Sequence, residues 1–299
     1  MEMRHLRCFH AVAEELHFTR AAERLHIEQS PLSRAIRELE HELGTALFIR
    51  DRRRTRLTPA GEILLLHVRR LFATLEQARD GVAAVASGYS GTLHIAVSDG
   101  AIGPKLSALL ARCREEEPEV EVRLNEVSLT AQVRGLRDGH FDAGFARSAD
   151  VGIGIVTEPV WKNAISVAVP ARHPLLAHRE VPLLELVRYP IVACAPHVFE
   201  GCYSELTRLF RSIDAKPIIA GHAASVDMQL VLVAAGYGVG LTALAHTPAI
   251  WQHPGVIARP LQGTDNVLTT YLLRAEGLPS ATLDRFTARV RAVEGDELS

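Results

Sequence analysis

The stretch Phe18–Glu40, FTRAAERLHIEQSPLSRAIRELE, limits what this chain can build more than any other. It holds two short helical patterns joined by a tight connection around Leu25–Glu28. The first, Thr19–Leu25, opens on a threonine able to cap it and carries the small pair Ala21 and Ala22, which permits close packing. The second spaces Leu32, Ile36, Leu39 and Leu43 along one helical face. Pro31 falls in its first turn, where a missing N–H costs little. Its other face shows Gln29, Ser30, Ser33, Arg34 and Arg37. Such a front suits the major groove, where glutamine pairs with adenine and arginine with guanine through two hydrogen bonds each. The spacing predicts a helix-turn-helix. A helical hairpin with a solvated charged face would satisfy it equally, so the following segment decides.

That segment is LFIRDRRRTRLTPAG, after the helix stop Leu43-Gly44. Arg50, Arg52, Arg53, Arg54 and Arg56 face a single acid, Asp51, for a local charge of +4. Strand-like pieces at Leu47–Ile49 and Thr55–Thr58 flank the run. A basic hairpin beside a recognition helix is a winged helix, its wing set against phosphates or the minor groove. Arginine supplies 30 of the 33 cationic residues, which favours bidentate contacts. The expected partner is double-stranded DNA, with Thr19, Gln29, Ser30, Pro31, Ser33, Arg34, Arg37, Arg50, Arg52, Arg53, Arg54 and Thr58 facing it.

From Pro59 one helix is predicted to run to about Ser87, with Gly88 ending it. Leu64, Val68, Leu71, Leu75, Ala78, Val82 and Val85 alternate spacings of four and three, a coiled-coil seam. Leu65 and Phe72 lie off the seam and can pack on the helix's own domain. The leftover stripe implies a partner helix, most simply from a second copy. Beyond Gly88–Gly91 strands and helices alternate, the pattern of a parallel sheet. Strands are expected at Leu93–Val97, Val120–Val127, Phe141–Ala146, Ala164–Val169, Ile191–Cys194, Pro217–Ala220, Val239–Thr242, Val256–Arg259 and Val267–Arg274. Helices are expected at Ile102–Arg114, Thr130–Asp138 and Pro279–Val293. Two crossings of the chain make two α/β lobes with a cleft between them.

The carrying residues now support a resemblance. FTRAAERLHI, QSPLSRAIRELE, LGTALFIR and LTPAG, with Leu6, Phe9, Val12 and Ala13 in an opening helix, look like the DNA-binding half of the LysR-type transcriptional regulators. TLHIAVSD, EEEPEVEVRLNE, LRDGHFDAGFAR, VAVPARHPLL and LVLVAAGYGVGLTAL extend the likeness over the rest of the chain. The resemblance implies a winged helix-turn-helix at 1–58 and a linker helix at 59–88 that dimerises through Leu64, Val68, Leu71, Leu75 and Val82. It further implies an effector domain at 89–299, two-lobed α/β and built like a type 2 periplasmic binding protein. Lobe I would take about 89–162 and 267–299, lobe II 163–266. A dimer assembling to a tetramer and contact with RNA polymerase follow from the same likeness. DAGFAR resembles the branch that senses aromatic-degradation intermediates, which implies an aromatic or dicarboxylate metabolite as effector.

Ligands of open α/β sheets bind beyond the carboxyl ends of the strands. Ser98 and Ser128 stand at two such ends, where the family hydrogen-bonds its effector. Arg147 ends the third strand and can meet a carboxylate or an acid of the other lobe. His197 and Phe199 follow a strand of the second lobe and should face the cleft. The chain departs from the family at Glu28, where serine or threonine is usual, at Leu129, and at Asp99, whose carboxylate would oppose an anionic effector.

No apolar signal region or membrane-length stretch occurs, which points to a cytoplasmic protein without membrane partners. Cysteines 8, 113, 194 and 202 make no metal-ligand spacing. Cys194 and Cys202 fall in one expected loop, which leaves a thiol-redox-responsive regulator as one alternative. A solute-binding protein is a more remote one. The histidines include no HExxH, the serines no nucleophile elbow, and Gly236-x-Gly238-x-Gly240 follows a helix where a dinucleotide loop would precede one. No enzyme activity, metal or cofactor is expected.

Overall fold

The computed structural model describes residues 1–50, 54–243, 253–263, 267–277 and 280–295. They form two compact units: one takes Met1–Asp80 and 138–140, the other the remainder.

The first unit opens with α1 (Met3–Glu15), α2 (Phe18–Arg24) and α3 (Gln29–Leu43). Leu6, Phe9 and Val12 of α1, Ala21 and Ala22 of α2, and Leu32, Ile36 and Leu39 of α3 bury one shared core. The α2–α3 turn closes through Ile27 N–H to Ala22 O at 3.0 Å, with His26 in the left-handed region at φ 54°. Two expectations need correction. The cap of α2 is His17, whose Nδ1 accepts from the N–H of Arg20 at 3.4 Å; Thr19 already lies inside the helix. Leu43 is 41% exposed, because the last turn of α3 runs past the core.

Strands β1 (Phe48–Arg50) and β2 (Thr55–Leu57) pair antiparallel, with Ile49 opposite Arg56. Helix α4 (Pro59–Ala86) follows at once. Its LTPAG start has a physical cause. Thr58 Oγ donates to Ala46 O at 2.7 Å and accepts from Gly61 N–H at 3.0 Å, capping the helix. Gly61 has no room for a side chain, since a Cβ would meet Leu47 O at 2.3 Å. Along α4 the expected seam divides. Val68 is buried in the winged-helix core and Leu64 packs against it, together with Leu65 and Phe72. Leu71, Leu75, Val82 and Val85 are exposed, at 39%, 40%, 73% and 66%. A heptad spacing cannot say which partner covers each rung, and here the helix's own domain takes the first two.

In the second unit β3 (Gly91–Val97), α5 (Pro104–Glu116), β4 (Val120–Glu126), α6 (Leu129–Asp138) and β5 (Ala143–Ala146) begin lobe I. The 16-residue β6 (Ile155–Pro170) leads into α7 (Leu183–Leu186), β7 (Ile191–Cys194), α8 (Glu200–Arg211), β8 (Ile219–Ala223), α9 (Val226–Ala234), β9 (Val239–Ala243) and β10 (Val256–Pro260). Strand β11 (Val267–Ala275) and α10 (Ala281–Gly295) follow, and a short 3-10 turn at Pro174–Ala177 lies between β6 and α7. The strand order is β4-β3-β5-β11-β6-β9-β7-β8, with β10 also on β6. Strands β3, β4 and β5 pair parallel, as do β7, β8 and β9, but β11 is antiparallel to both β5 and β6. The sheet is therefore mixed, where an all-parallel one was expected. A returning strand closes lobe I, and alternation of elements along the chain does not reveal its direction.

Lobe I centres on Phe145 stacked on Trp161, ring centroids 4.8 Å apart, with Phe286 of α10 tilted against Phe145. Lobe II buries Val167, Val169, Leu186 and Val239 between its sheet and helices. Replacing the fully buried Phe286 by alanine should cost about 3–5 kcal/mol of the second unit's stability. Urea denaturation followed by tryptophan fluorescence checks it, and a decrease below about 1 kcal/mol would show that α10 does not hold this core.

Candidate functional sites: a DNA-binding face and an interlobe cleft

On α3, Gln29, Ser30, Pro31, Arg34 and Arg37 are exposed, while Ser33 is half-buried. Thr19 Oγ donates to Gln29 Oε1 at 3.1 Å, so α2 holds the glutamine side chain that opens the recognition helix. Arg37 Nε turns back to Ser33 O at 3.2 Å. Arg50 and Arg54 lie exposed on the wing; Arg52 and Arg53 fall outside the described residues. Arg50 has an internal duty as well. Its Nη2 donates to Glu40 Oε2 at 3.0 Å, and its guanidinium lies 4.8 Å from the Phe18 ring centroid. Glu40 Oε1 accepts the N–H groups of Leu47 and Phe48, at 2.9 and 3.2 Å. One carboxylate of α3 thereby fixes the base of the wing, a link that no motif in the sequence signalled. Glu28 is exposed and makes no side-chain cap on α3.

In the second unit a cavity opens between the lobes, lined by Asp99, Arg147, Cys194, Phe199, Cys202, Gln229 and Leu268 among others. Its volume of about 40 Å³ holds a few waters, well short of a small-molecule pocket of several hundred Å³. A larger hollow of about 490 Å³ lies inside lobe II, walled by Ile191, Tyr203, Leu206, Phe210 and Ile219. Its charged residues, Arg211, Asp214 and Lys216, are all exposed. The smaller cavity gathers buried Asp99, Arg147 and Gln229, and convergent buried polar groups mark a ligand site better than size does.

Asp99 sits at φ 55° on the turn after β3. Its Oδ1 accepts from Gly201 N–H in the first turn of α8 at 2.9 Å, so a side chain of lobe I caps a helix of lobe II. Burial pushes the Asp99 carboxyl up, against the N–H groups of Gly201 and Arg147, which hold it down. Beside it Thr130 Oγ donates to Glu200, 2.9 Å from Oε2. Arg147, 2% exposed, gives Nε to Asp99 O at 3.2 Å and Nη2 to Gly100 O at 3.1 Å. Its Nη1 meets no acceptor.

The predicted residues separate here. Ser98 is buried, its hydroxyl 3.4 Å from Asp99 Oδ2 and turned to that neighbour. Ser128 Oγ accepts from Ala131 N–H at 3.2 Å, capping the start of α6. Phe199 and Arg147 line the cavity, whereas His197 is exposed on the turn before α8 and absent from the lining. Gln229 was missed. Its Nε2 binds Val192 O at 2.9 Å, and the only signal was one amide in the apolar run VDMQLVLVA. Cys194 ends β7 and Cys202 lies in the first turn of α8, so they do not share a loop. They nevertheless act on one another: both are free thiols, and Cys202 is the more acidic, its pKa lowered by Cys194 and by the charge of Arg147 against the effect of burial.

A winged helix-turn-helix joined to two α/β lobes around a polar cleft is the architecture of a ligand-controlled DNA-binding regulator. Residues 3–62 match the bacterial regulatory helix-turn-helix protein, lysR family, and residues 86–294 the LysR substrate binding domain. The chain is 34% identical over 262 residues to HTH-type transcriptional regulator XapR of Escherichia coli (strain K12), covering 87% of this chain and 88% of that protein. It is 33% identical over 247 residues to HTH-type transcriptional regulator BenM of Acinetobacter baylyi, covering 81% and 80%. Full-length CbnR complexed with its target DNA superposes with a TM-score of 0.70 at 27% identity, over 98% of this chain and all of that one. The chain belongs to the LysR family of transcriptional regulators. OxyR structures match at 23% identity and carry the fold alone, so effector control is favoured over the thiol switch.

Replacing Glu40 by alanine should strip the wing base of its acceptor and cost about 1.5–3 kcal/mol in the first unit. Thermal or urea unfolding measures this. An unchanged stability would mean that the wing stands without the clamp.

Proposed function

We propose that this regulator reads DNA with α3, grips the backbone with the wing, and responds to a small molecule bound between the lobes. The observation that carries the DNA reading is the exposed face of α3, with Gln29, Arg34 and Arg37 free of the core and Gln29 steadied by Thr19. Arg52, Arg53 and Arg54 sit in a run without spacing code, which suits phosphates or a narrow minor groove. Ser30, Pro31 and Ser33 approach the same groove, with Arg50 and Thr58 at its margin, each also engaged within the domain. The effector is a small carboxylate or aromatic molecule held by Arg147 and Phe199, with Ser98 and Ser128 at the lobe I turns. The protein works in the cytoplasm; no helix among the described residues is long and apolar enough to cross a membrane.

We further infer a homodimer, assembling to a tetramer, joined through the exposed rungs Leu71, Leu75 and Val82, and acting with RNA polymerase at its promoters. The support is an apolar stripe on α4 that its own domain leaves open. Lysine at both Leu71 and Leu75 should give monomers by light scattering. An unaltered mass would move the dimer contact elsewhere.

For DNA, Arg34→Ala should cost about 1–3 kcal/mol per half-site on the operator and little on random duplex. Arg54→Ala should weaken both alike and flatten the log–log salt dependence by about 0.9 for each phosphate no longer neutralised. Binding titrations across a salt series separate the two. Equal weakening on both DNAs for Arg34→Ala would remove it from the base-reading set.

A further inference from the structure

The cleft contains an anion position that the protein fills itself. Helix α8 has no side-chain cap of its own, and the group on its Gly201 N–H is the Asp99 carboxylate from the other lobe. The approach is built in at both ends. A Cβ on Gly201 would lie 2.5 Å from Asp99 Oδ2 and 3.0 Å from the backbone of Arg147 and Ser148. Asp99 for its part takes a left-handed backbone, at φ 55°, to present its carboxylate there. A second donor in the same cavity stays open: Arg147 Nη1 is buried without an acceptor, a state that a ligand oxygen would relieve.

We propose that Asp99 sets the charge of the effector: its carboxylate occupies the anion position at the start of α8, leaving Arg147 for a single acidic group. The ligand is then a monoanion with an apolar body, its carboxylate on Arg147 and its body against Phe199, Leu241 and Leu268. This rests on the reading of the cleft as the effector site. The charges agree with it. Asp99 already sets one acid beside the single guanidinium of Arg147, with Glu200 adding its charge next to Asp99, so a second carboxylate on the ligand meets repulsion. A dianion enters only by driving Asp99 off Gly201, which undoes one of the contacts between the lobes.

Calorimetric titration of the full-length protein with benzoate and terephthalate, one skeleton with one or two carboxylates, tests this. The wild type should prefer benzoate by at least tenfold. Asp99→Asn keeps an oxygen for Gly201 N–H but removes the charge, and should shift the ratio toward terephthalate by at least tenfold. Asp99→Ser serves as a second variant, with circular dichroism confirming that each is folded. Equal affinities in the wild type, or a ratio untouched in both variants, overturns the charge rule. Binding of neither probe to any of the proteins overturns the carboxylate assignment. Benzoate binding that persists unchanged in Phe199→Ala places the probe outside the cleft and sinks the effector-site reading itself, a different failure from an unaltered ratio.

Discussion

Helix α8 begins with Phe199 at its N-cap, a side chain that has no oxygen to offer its free N–H groups. The arrangement of the cleft follows from how that deficit is met. Asp99 reaches over from lobe I, and Arg147 braces the reaching turn by binding the carbonyls of Asp99 and Gly100. A charge-assisted hydrogen bond of this kind is worth about 1.5–3 kcal/mol, less what burying the carboxylate costs. The balance is small. At this point the lobes are thus held by a contact firm enough to define one geometry, with Thr130 on Glu200 beside it.

The DNA-binding unit uses an acid in the same way, with a different end. Glu40 turns from the recognition helix to the wing and satisfies two backbone N–H groups and Arg50. Helix α3 and the wing therefore share one origin, and the spacing between their exposed side chains is set within the unit itself. Thr19 does a smaller version of this for Gln29. Preorganised polar groups lose less freedom on binding, which favours affinity without adding contacts.

Much of this was legible because it is periodic or local. The face Leu32, Ile36 and Leu39 and the LTPAG start each encode their own geometry, and both stand where the spacing put them. What the spacing could not carry was partnership. The rungs on α4 read as one stripe, yet Val68 belongs to the winged-helix core and Val82 does not. Strand β6 was half hidden because Pro159 and Lys162 interrupt its apolar run, and Pro159 is tolerated beside the irregularity at Thr270/Tyr271. Helix α8 has a weak sequence signal because Glu200-Gly201-Cys202 opens it, so Cys202 reads as part of the loop after β7 although it lies in the helix. Asp99 was visible as a misfit in sequence, but its partner, 102 residues further on, was not.

Strand β6 pairs with β11 as far as Ala164 and with β9 and β10 from Ile165 to Pro170. The chain thus passes from one lobe to the other inside a hydrogen-bonded ladder, without a flexible joint at that point. A change of angle between the lobes is a twist of this ribbon, which resists in proportion to the angle and returns when released. Such an element behaves as a torsion spring with one rest position. A ligand that changed the angle between the lobes would then be felt as a graded strain along the strand.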